Sequence, residues 1–97
     1  MRRSKALKIL IAHTHELRQE YGVASLRLFG SVARDQAAAG SDVDVLVAFD
    51  GEPTFRRFMQ LRFRLEALLG TRVDLVTETG LRDRVRPYVE KDAIAVA

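Results

Sequence analysis

The chain contains no cysteine, no apolar run long enough to cross a membrane, and no repeated or low-complexity segment. Without cysteine, disulfides and thiolate zinc sites are excluded. A membrane-spanning helix needs roughly 20 apolar residues, so no membrane contact is predicted. The start of the chain leads into an amphipathic pattern rather than a signal-peptide core. We therefore expect one compact domain over residues 1–97, located in the cytoplasm.

The charges are nearly balanced, with 16 basic and 13 acidic residues and a formal net charge of +3. Arginines crowd the second half of the chain, but acidic residues are interleaved with them. This mixture is typical of solvated helix faces, so direct nucleic-acid binding is not expected. The arginines concerned are Arg56, Arg57, Arg62, Arg64, Arg72, Arg82, Arg84 and Arg86.

The spacing of apolar residues predicts helices and strands that alternate along the chain. Glycines at positions 22 and 70 are natural helix stops, and Pro87 is expected to kink the last helix or divide it. The fold class is therefore α/β (α+β), a small mixed sheet with helices packed on it. Helices are predicted over about 5–21, 31–36, 54–69 and 81–92, and strands over about 23–29, 42–49, 72–77 and 94–96.

A strand that runs into Gly30 and Ser31 and then into a helix is typical of a phosphate cradle. Gly30 leaves room for the backbone to approach a ligand closely. Ser31 is predicted to cap the helix, and its hydroxyl can still approach a phosphate oxygen. Arg34 lies about one turn further along, where it can pair with a phosphate or with a nearby acid.

Two carboxylates, Asp42 and Asp44, lie on a strand that is otherwise apolar. Side chains two residues apart share one face of a strand, so these acids point together while the valines between them point into a core. Asp74 is a third acid in an apolar strand, and Ser41 is most simply a turn residue. One such aspartate could simply lie at a solvated end of a strand. Three aspartates in apolar strands are poorly explained in this way, because strands disfavour aspartate and burial of an unpaired carboxylate is costly. The pattern favours a Mg²⁺ site.

At these residues the chain resembles the DNA polymerase beta-like nucleotidyltransferase superfamily, and most closely its minimal nucleotidyltransferase branch. That branch carries Gly-Ser-x-Ala-Arg-Gly, then Ser-Asp-x-Asp with an apolar tail, and a third Asp on a later strand. Asp35 stands where the family usually has Gly, which would load a negative charge near the helix start and weaken polyphosphate binding. The matching residues are Gly30, Ser31, Ala33, Arg34, Ser41, Asp42, Asp44 and Asp74.

The resemblance implies an enzyme that uses ATP and two Mg²⁺ ions. Asp42, Asp44 and Asp74 would hold the metal, while Gly30 and Ser31 would bind phosphates, with contributions from Arg34 and Ser41. Asp74 would also help to deprotonate an acceptor hydroxyl. The chain has no length left for an acceptor-binding domain, so the acceptor is expected to arrive with a partner. In this branch the partner is a HEPN-domain ribonuclease toxin, which the nucleotidyltransferase neutralises as an antitoxin by adding AMP to a tyrosine.

Two other functions stay open at this point. One is a binding antitoxin of the same fold that neutralises its partner by contact alone. The other is a nucleotidyltransferase directed at a small molecule or an RNA. Homo-oligomers and hetero-oligomers are both compatible with the apolar residues of the helices.

Overall fold

The computed structural model describes residues 1–38, 40–80 and 86–96. Within these residues the chain forms five helices and four strands. The elements in chain order are α1 (Arg3–Ala12), α2 (Thr14–Tyr21), β1 (Val23–Phe29), α3 (Gly30–Ala33), β2 (Val43–Phe49), α4 (Phe55–Leu69), β3 (Val73–Thr77), α5 (Arg86–Asp92) and β4 (Ile94–Ala95).

The strands form one mixed sheet in the order β3-β2-β1-β4. β2 pairs in parallel with β3 and antiparallel with β1, while β4 pairs antiparallel with the other side of β1. This arrangement confirms the predicted α/β fold with a small mixed sheet. No helix in the described part of the chain is long and apolar enough to cross a membrane.

One hydrophobic core joins the helices to one face of the sheet. β2 contributes Val43, Val45 and Val47, which are fully buried, as the alternation of its sequence requires. α4 presents three leucines at intervals of four residues, so they form one stripe against the sheet. The α4 residues in this stripe are Leu61, Leu65 and Leu69, and α1 and α2 add Ala6, Leu10 and Leu17.

The predicted first helix over residues 5–21 is wrong in one respect, because it is divided into α1 and α2 at His13. His13 leaves the helical region, with φ −109° and ψ 12°. Its Nδ1 hydrogen bonds the carbonyl oxygen of Ile9 at 2.7 Å, and the Thr14 hydroxyl bonds those of Leu10 and Ile11. Side chains that bond to local carbonyls compete with the helical hydrogen bonds and end the helix here.

The other boundaries differ from the prediction by a few residues. β2 and β3 each begin one residue later than expected, and α4 begins after Thr54, whose hydroxyl caps it by accepting the Arg57 N–H at 3.1 Å. α3 ends at Ala33 rather than near residue 36. Pro87 is the second described residue of α5, and the helix continues from it without a break to Asp92. Residues 81–85 of the predicted last helix lie outside the described residues.

The backbone of Asp35 is left-handed just after the end of α3, and its carboxylate bonds to the start of α1. Its φ is +59°, a left-handed conformation that accounts for the glycine usual at this point in the family. Its carboxylate Oδ1 accepts the backbone N–H of Arg3 at 3.0 Å. The charge therefore caps the start of α1, whose own N-cap residue makes no side-chain bond, instead of lying at the start of α3.

We expect Asp35→Ala to lower the free energy of unfolding by about 1 to 2 kcal/mol, because alanine removes this cap and tolerates the left-handed conformation less well. Asp35→Asn keeps an oxygen acceptor and the conformational tolerance, and should change stability by less than about 0.5 kcal/mol. Urea unfolding of both variants measures the difference. Equal losses in the two would contradict the capping role.

Candidate active site

Asp44 and Asp74 face each other across two neighbouring strands. They are register partners in the parallel pair of β2 and β3, and each is the second residue of its strand. Their neighbours Val43 and Val73 are buried on the helix side, so both carboxylates point to the opposite face. Asp44 also lies opposite Phe29, the last residue of β1. The acids therefore lie where the chain passes from β1 into α3.

The pKa of the Asp44 carboxyl is raised from 3.8 to about 6. The largest cause is its burial, which disfavours the charged form, followed by the charge and hydrogen bond of Asp74 and the charge of Asp42. The guanidinium of Arg34 acts in the opposite direction. Two charged carboxylates on directly paired residues repel each other, so a cation bound between them would stabilise both charges.

Gly30 brings the backbone directly against Asp44. Its φ is +74°, and a Cβ built there would lie 2.9 Å from Asp44 Cγ and would collide with Oδ2. Because side-chain-bearing residues are disfavoured in this conformation and have no space here, both the conformation and the contact require glycine. Gly30 is the first residue of α3, so this contact fixes the start of the helix relative to the acids.

Ser31 lies inside α3 and is not its N-cap, so the predicted capping role is wrong. The N-cap is Phe29, which has an extended backbone and makes no side-chain cap bond. The helix begins at Gly30, one residue earlier than expected. The backbone N–H groups at the start of α3 are thus not covered by a cap side chain.

Arg34 pairs with an acid, one of the two partners that the sequence allowed. Its Nη1 donates to Asp92 Oδ2 on α5 at 2.6 Å, and its Nε donates to Gln36 at 3.3 Å. The side chain is still 45% exposed and lies near enough to Asp44 to lower its pKa. Asp92 was missed from the sequence because 58 positions separate it from Arg34 and no local pattern connects them.

Asp42 lies at the margin of the acidic pair. It precedes β2, is exposed, and forms an ion pair with Arg72, whose Nε is 3.3 Å from Asp42 Oδ1. Within the described ranges, no three acidic or histidine side chains are already gathered in an arrangement that holds a metal. Ser41 donates its N–H to the carbonyl of Ala38 at 3.1 Å, as expected of a turn residue. The structure therefore brings together Asp44 and Asp74, with Asp42 turned towards Arg72.

A cavity of about 300 Å³ adjoins the acids on the side of β3. Several of its residues come from α4, and nothing in their sequence spacing distinguished them from ordinary surface or core positions. Glu66 fixes one end of it by accepting the Val73 N–H at 3.0 Å. The lining residues are Asp42, Phe58, Arg62, Glu66, Arg72, Val73, Asp74 and Leu75.

The mixed sheet, the in-register acids and the glycine against them form the candidate active site. Residues 10–96 match the family model of the nucleotidyltransferase domain, and the chain belongs to this family. It is thus an enzyme of the nucleotidyltransferase class, as the sequence predicted.

Comparison with individual proteins indicates the branch of the family. The chain is 43% identical over 88 residues to the protein adenylyltransferase MntA of Thermococcus cleftensis, and the match spans 91% of this chain and 89% of that protein. It is 40% identical to a solved structure described as a candidate minimal nucleotidyltransferase, with a TM-score of 0.81 and coverage of 97% and 95% of the two chains. The minimal nucleotidyltransferase resemblance is therefore confirmed.

A third comparison shows that the fold is shared with a protein of much lower sequence identity. The MNT antitoxin that forms a complex with a tri-AMPylated HEPN toxin of Shewanella oneidensis has a TM-score of 0.68 with this chain. The identity is only 17%, and the match covers 94% of this chain and 71% of the other.

Proposed function

We propose that this chain transfers AMP from ATP to a hydroxyl group of a partner protein, a tyrosine of a HEPN-domain ribonuclease toxin, and thereby acts as its antitoxin. The observation that carries the proposal is the in-register pair Asp44 and Asp74, with Gly30 packed against Asp44. MntA is a protein adenylyltransferase, and its sequence identity to this chain over most of both proteins supports a protein as the acceptor. The complex of the more distant antitoxin with its AMPylated toxin supports the kind of partner.

The residues fit a divalent cation, and Mg²⁺ is the one we propose. Asp44 carries a raised pKa because it is partly buried beside Asp74, so a cation there would replace an unfavourable contact by a favourable one. Carboxylate oxygens are the ligands that Mg²⁺ prefers. Asp44 and Asp74 would hold metal, and Asp42 would join them after leaving Arg72. Two such ions would offset the triphosphate charge and stabilise the attacking and leaving oxygens.

The protein groups around the acids supply binding and proton transfer. The uncapped N–H groups at the start of α3, next to Gly30 and Ser31, would bind the outer phosphates of ATP. Arg34, held by Asp92 beside Asp44, would add a positive charge to the same anion, with Ser41 as a minor contact. Asp74 is the more exposed acid of the pair and would accept the proton of the acceptor hydroxyl.

Intact-mass spectrometry of the captured partner tests this proposal. The tagged chain is expressed in its native cells, and the proteins that copurify are weighed. With the wild type we expect a partner that carries AMP, and with Asp44→Asn the same partner without AMP. Asp50→Asn is the matched control, because Asp50 is an exposed turn residue with the same charge and should leave the modification intact.

Other outcomes separate the competing functions. A partner that is captured unmodified by the wild type and by Asp44→Asn, and is inactivated equally by both, would replace the proposal by a binding antitoxin. If AMP is transferred to a purified small hydroxyl compound or to RNA, and no protein is modified, then the proposal that the acceptor is a protein is wrong.

A further inference from the structure

β3 is the outer strand of the sheet, and among the described residues it pairs only with β2. The Val43 N–H donates to the Arg72 carbonyl at 3.0 Å, and the Glu78 N–H donates to the Val47 carbonyl at 3.0 Å. In a parallel pair alternate residues face the partner strand, so the even-numbered residues from 72 to 78 face β2. The backbone groups of residues 73, 75 and 77 therefore face away from the sheet.

The start of this open edge is hydrogen bonded, whereas no described residue hydrogen bonds to its middle. The Glu66 carboxylate accepts the Val73 N–H at 3.0 Å, which leaves the N–H and the carbonyl of Leu75 as the central outward-facing pair. Leu75 also lines the cavity between β3 and α4. A strand edge with unpaired backbone groups is a template on which another chain can form a strand.

Arg62, on the α4 wall of the cavity, adds a second unpaired donor. Its Nε is buried and has no hydrogen-bond partner in the described part of the chain. The closest acid, Glu66, is 3.9 Å away through Oε2, the same atom that accepts the Val73 N–H. A buried donor without a partner costs free energy that an incoming carbonyl oxygen would recover.

The strand order sets the direction from which an acceptor must approach. Gly30 follows β1, Asp44 lies on β2 and Asp74 lies on β3, so the phosphate cradle and the cavity are on opposite sides of the acidic pair. Phosphoryl-type displacement is in line, with the nucleophile entering opposite the leaving group. If pyrophosphate departs on the Gly30 side, the hydroxyl enters from the β3 side.

We propose that the open edge of β3 and the adjoining cavity bind an extended segment of the acceptor protein as an added strand. This inference rests on the proposed function and specifies how its acceptor is bound. The segment would pair with the Leu75 backbone, give a carbonyl oxygen to Arg62 Nε, and place its hydroxyl beside Asp74. That oxygen forms the bond to the α-phosphorus as the bond to the bridging oxygen breaks, pyrophosphate leaves with the electron pair, and the proton passes to Asp74.

Amide hydrogen exchange measured by NMR tests the added strand. Leu75 is only 7% exposed, but its amide faces away from β2 and bonds to no described residue, so it should exchange faster in the free chain than its neighbours that face β2. When the partner protein captured from native cells is added, we expect its exchange to slow at least about tenfold. The Ser4 amide, in the exposed first turn of α1, should stay fast and serves as the control. If Leu75 instead becomes protected in the free chain as its own concentration rises, the edge binds a second copy and the proposal is overturned.

Steady-state kinetics tests the cavity. Arg62→Gln should raise the KM for the acceptor protein about tenfold, as expected for the loss of a charged hydrogen bond, while the KM for ATP changes less than about twofold. Arg56→Gln is the matched control, because Arg56 is an exposed α4 residue outside the cavity and makes the same charge change. Melting curves check that both variants are folded.

The two proposals fail separately. If the wild type transfers AMP but Leu75 stays unprotected and Arg62→Gln keeps a normal KM for the acceptor, the binding edge is wrong and the adenylyltransferase proposal stands. If the wild type transfers AMP to no protein, the proposed function itself is wrong.

Discussion

Replacing Gly30 by alanine is expected to lower kcat/KM for AMP transfer by at least about 100-fold, which corresponds to about 3 kcal/mol of lost transition-state stabilisation. The new methyl group would collide with Asp44 Oδ2 and approach Cγ within 2.9 Å. The Asp44 carboxylate or the start of α3 must therefore move, and either shift changes the position of the phosphates relative to the acid. A displacement of about 1 Å at a reacting centre is enough for a loss of this size.

Gly70→Ala is the matched control for the backbone strain. Gly70 ends α4 with φ +70°, close to the +74° of Gly30, but a Cβ there would meet nothing within 4 Å. Both variants should lose about 1 kcal/mol of stability from the left-handed conformation. Only Gly30→Ala should lose transfer activity, measured with ATP and the acceptor protein at a temperature where melting curves show both folded. Equal activity in the two variants would show that contact with Asp44 does not matter.

The central part of the site could be predicted because it depends on local rules. Strand periodicity placed Asp44 on the face opposite the buried valines, and the same rule placed Asp74 on its strand. Glycine at position 30 was predicted to let the backbone approach a ligand, and the structure shows that this backbone lies against the Asp44 carboxylate. These inferences required only neighbours along one strand or one turn.

The rest of the site depends on contacts between distant parts of the chain. Asp92 reaches Arg34 because α5 packs against α3, and Arg62 lines the cavity because α4 lies along β3. The ion pair of Asp42 with Arg72 depends on two loops meeting at the edge of the sheet. Periodicity cannot give such pairings, since it describes faces of elements and not which elements meet. The break at His13 was missed for another reason, because it arises from side-chain hydrogen bonds to the backbone.

Asp44→Asn is expected to stabilise the metal-free protein at alkaline pH while removing its transfer activity. The pKa of Asp44 is about 6 in the folded chain and 3.8 as the reference value, so the folded state binds the proton more tightly than the unfolded state. This contribution favours folding below pH 4 and is lost as the pH rises through 6. Because the side chain is partly exposed, solvent screening reduces the loss to about 1 kcal/mol.

Urea unfolding between pH 4 and pH 8, in the presence of a chelator, measures this effect as a difference between proteins. Near pH 4 the wild type and Asp44→Asn should be equally stable, and at pH 8 the variant should be more stable by about 1 kcal/mol. Asp50→Asn, which makes the same change at an exposed turn, should follow the wild type at every pH. A stability difference that stays constant across this range would show that the pKa of Asp44 is not raised in the folded chain.

Addition of Mg²⁺ should then reverse the order of stability at pH 8. A cation that binds the folded wild type raises its free energy of unfolding by about 2.7 kcal/mol at 100 times the dissociation constant, whereas Asp44→Asn loses a charged ligand and should gain much less. Asp50→Asn should respond as the wild type does. The same carboxylate would therefore destabilise the metal-free protein and bind the metal, which is the behaviour expected of a charge placed for function at a cost in stability. If Mg²⁺ stabilises the wild type and Asp44→Asn equally, Asp44 is not a ligand.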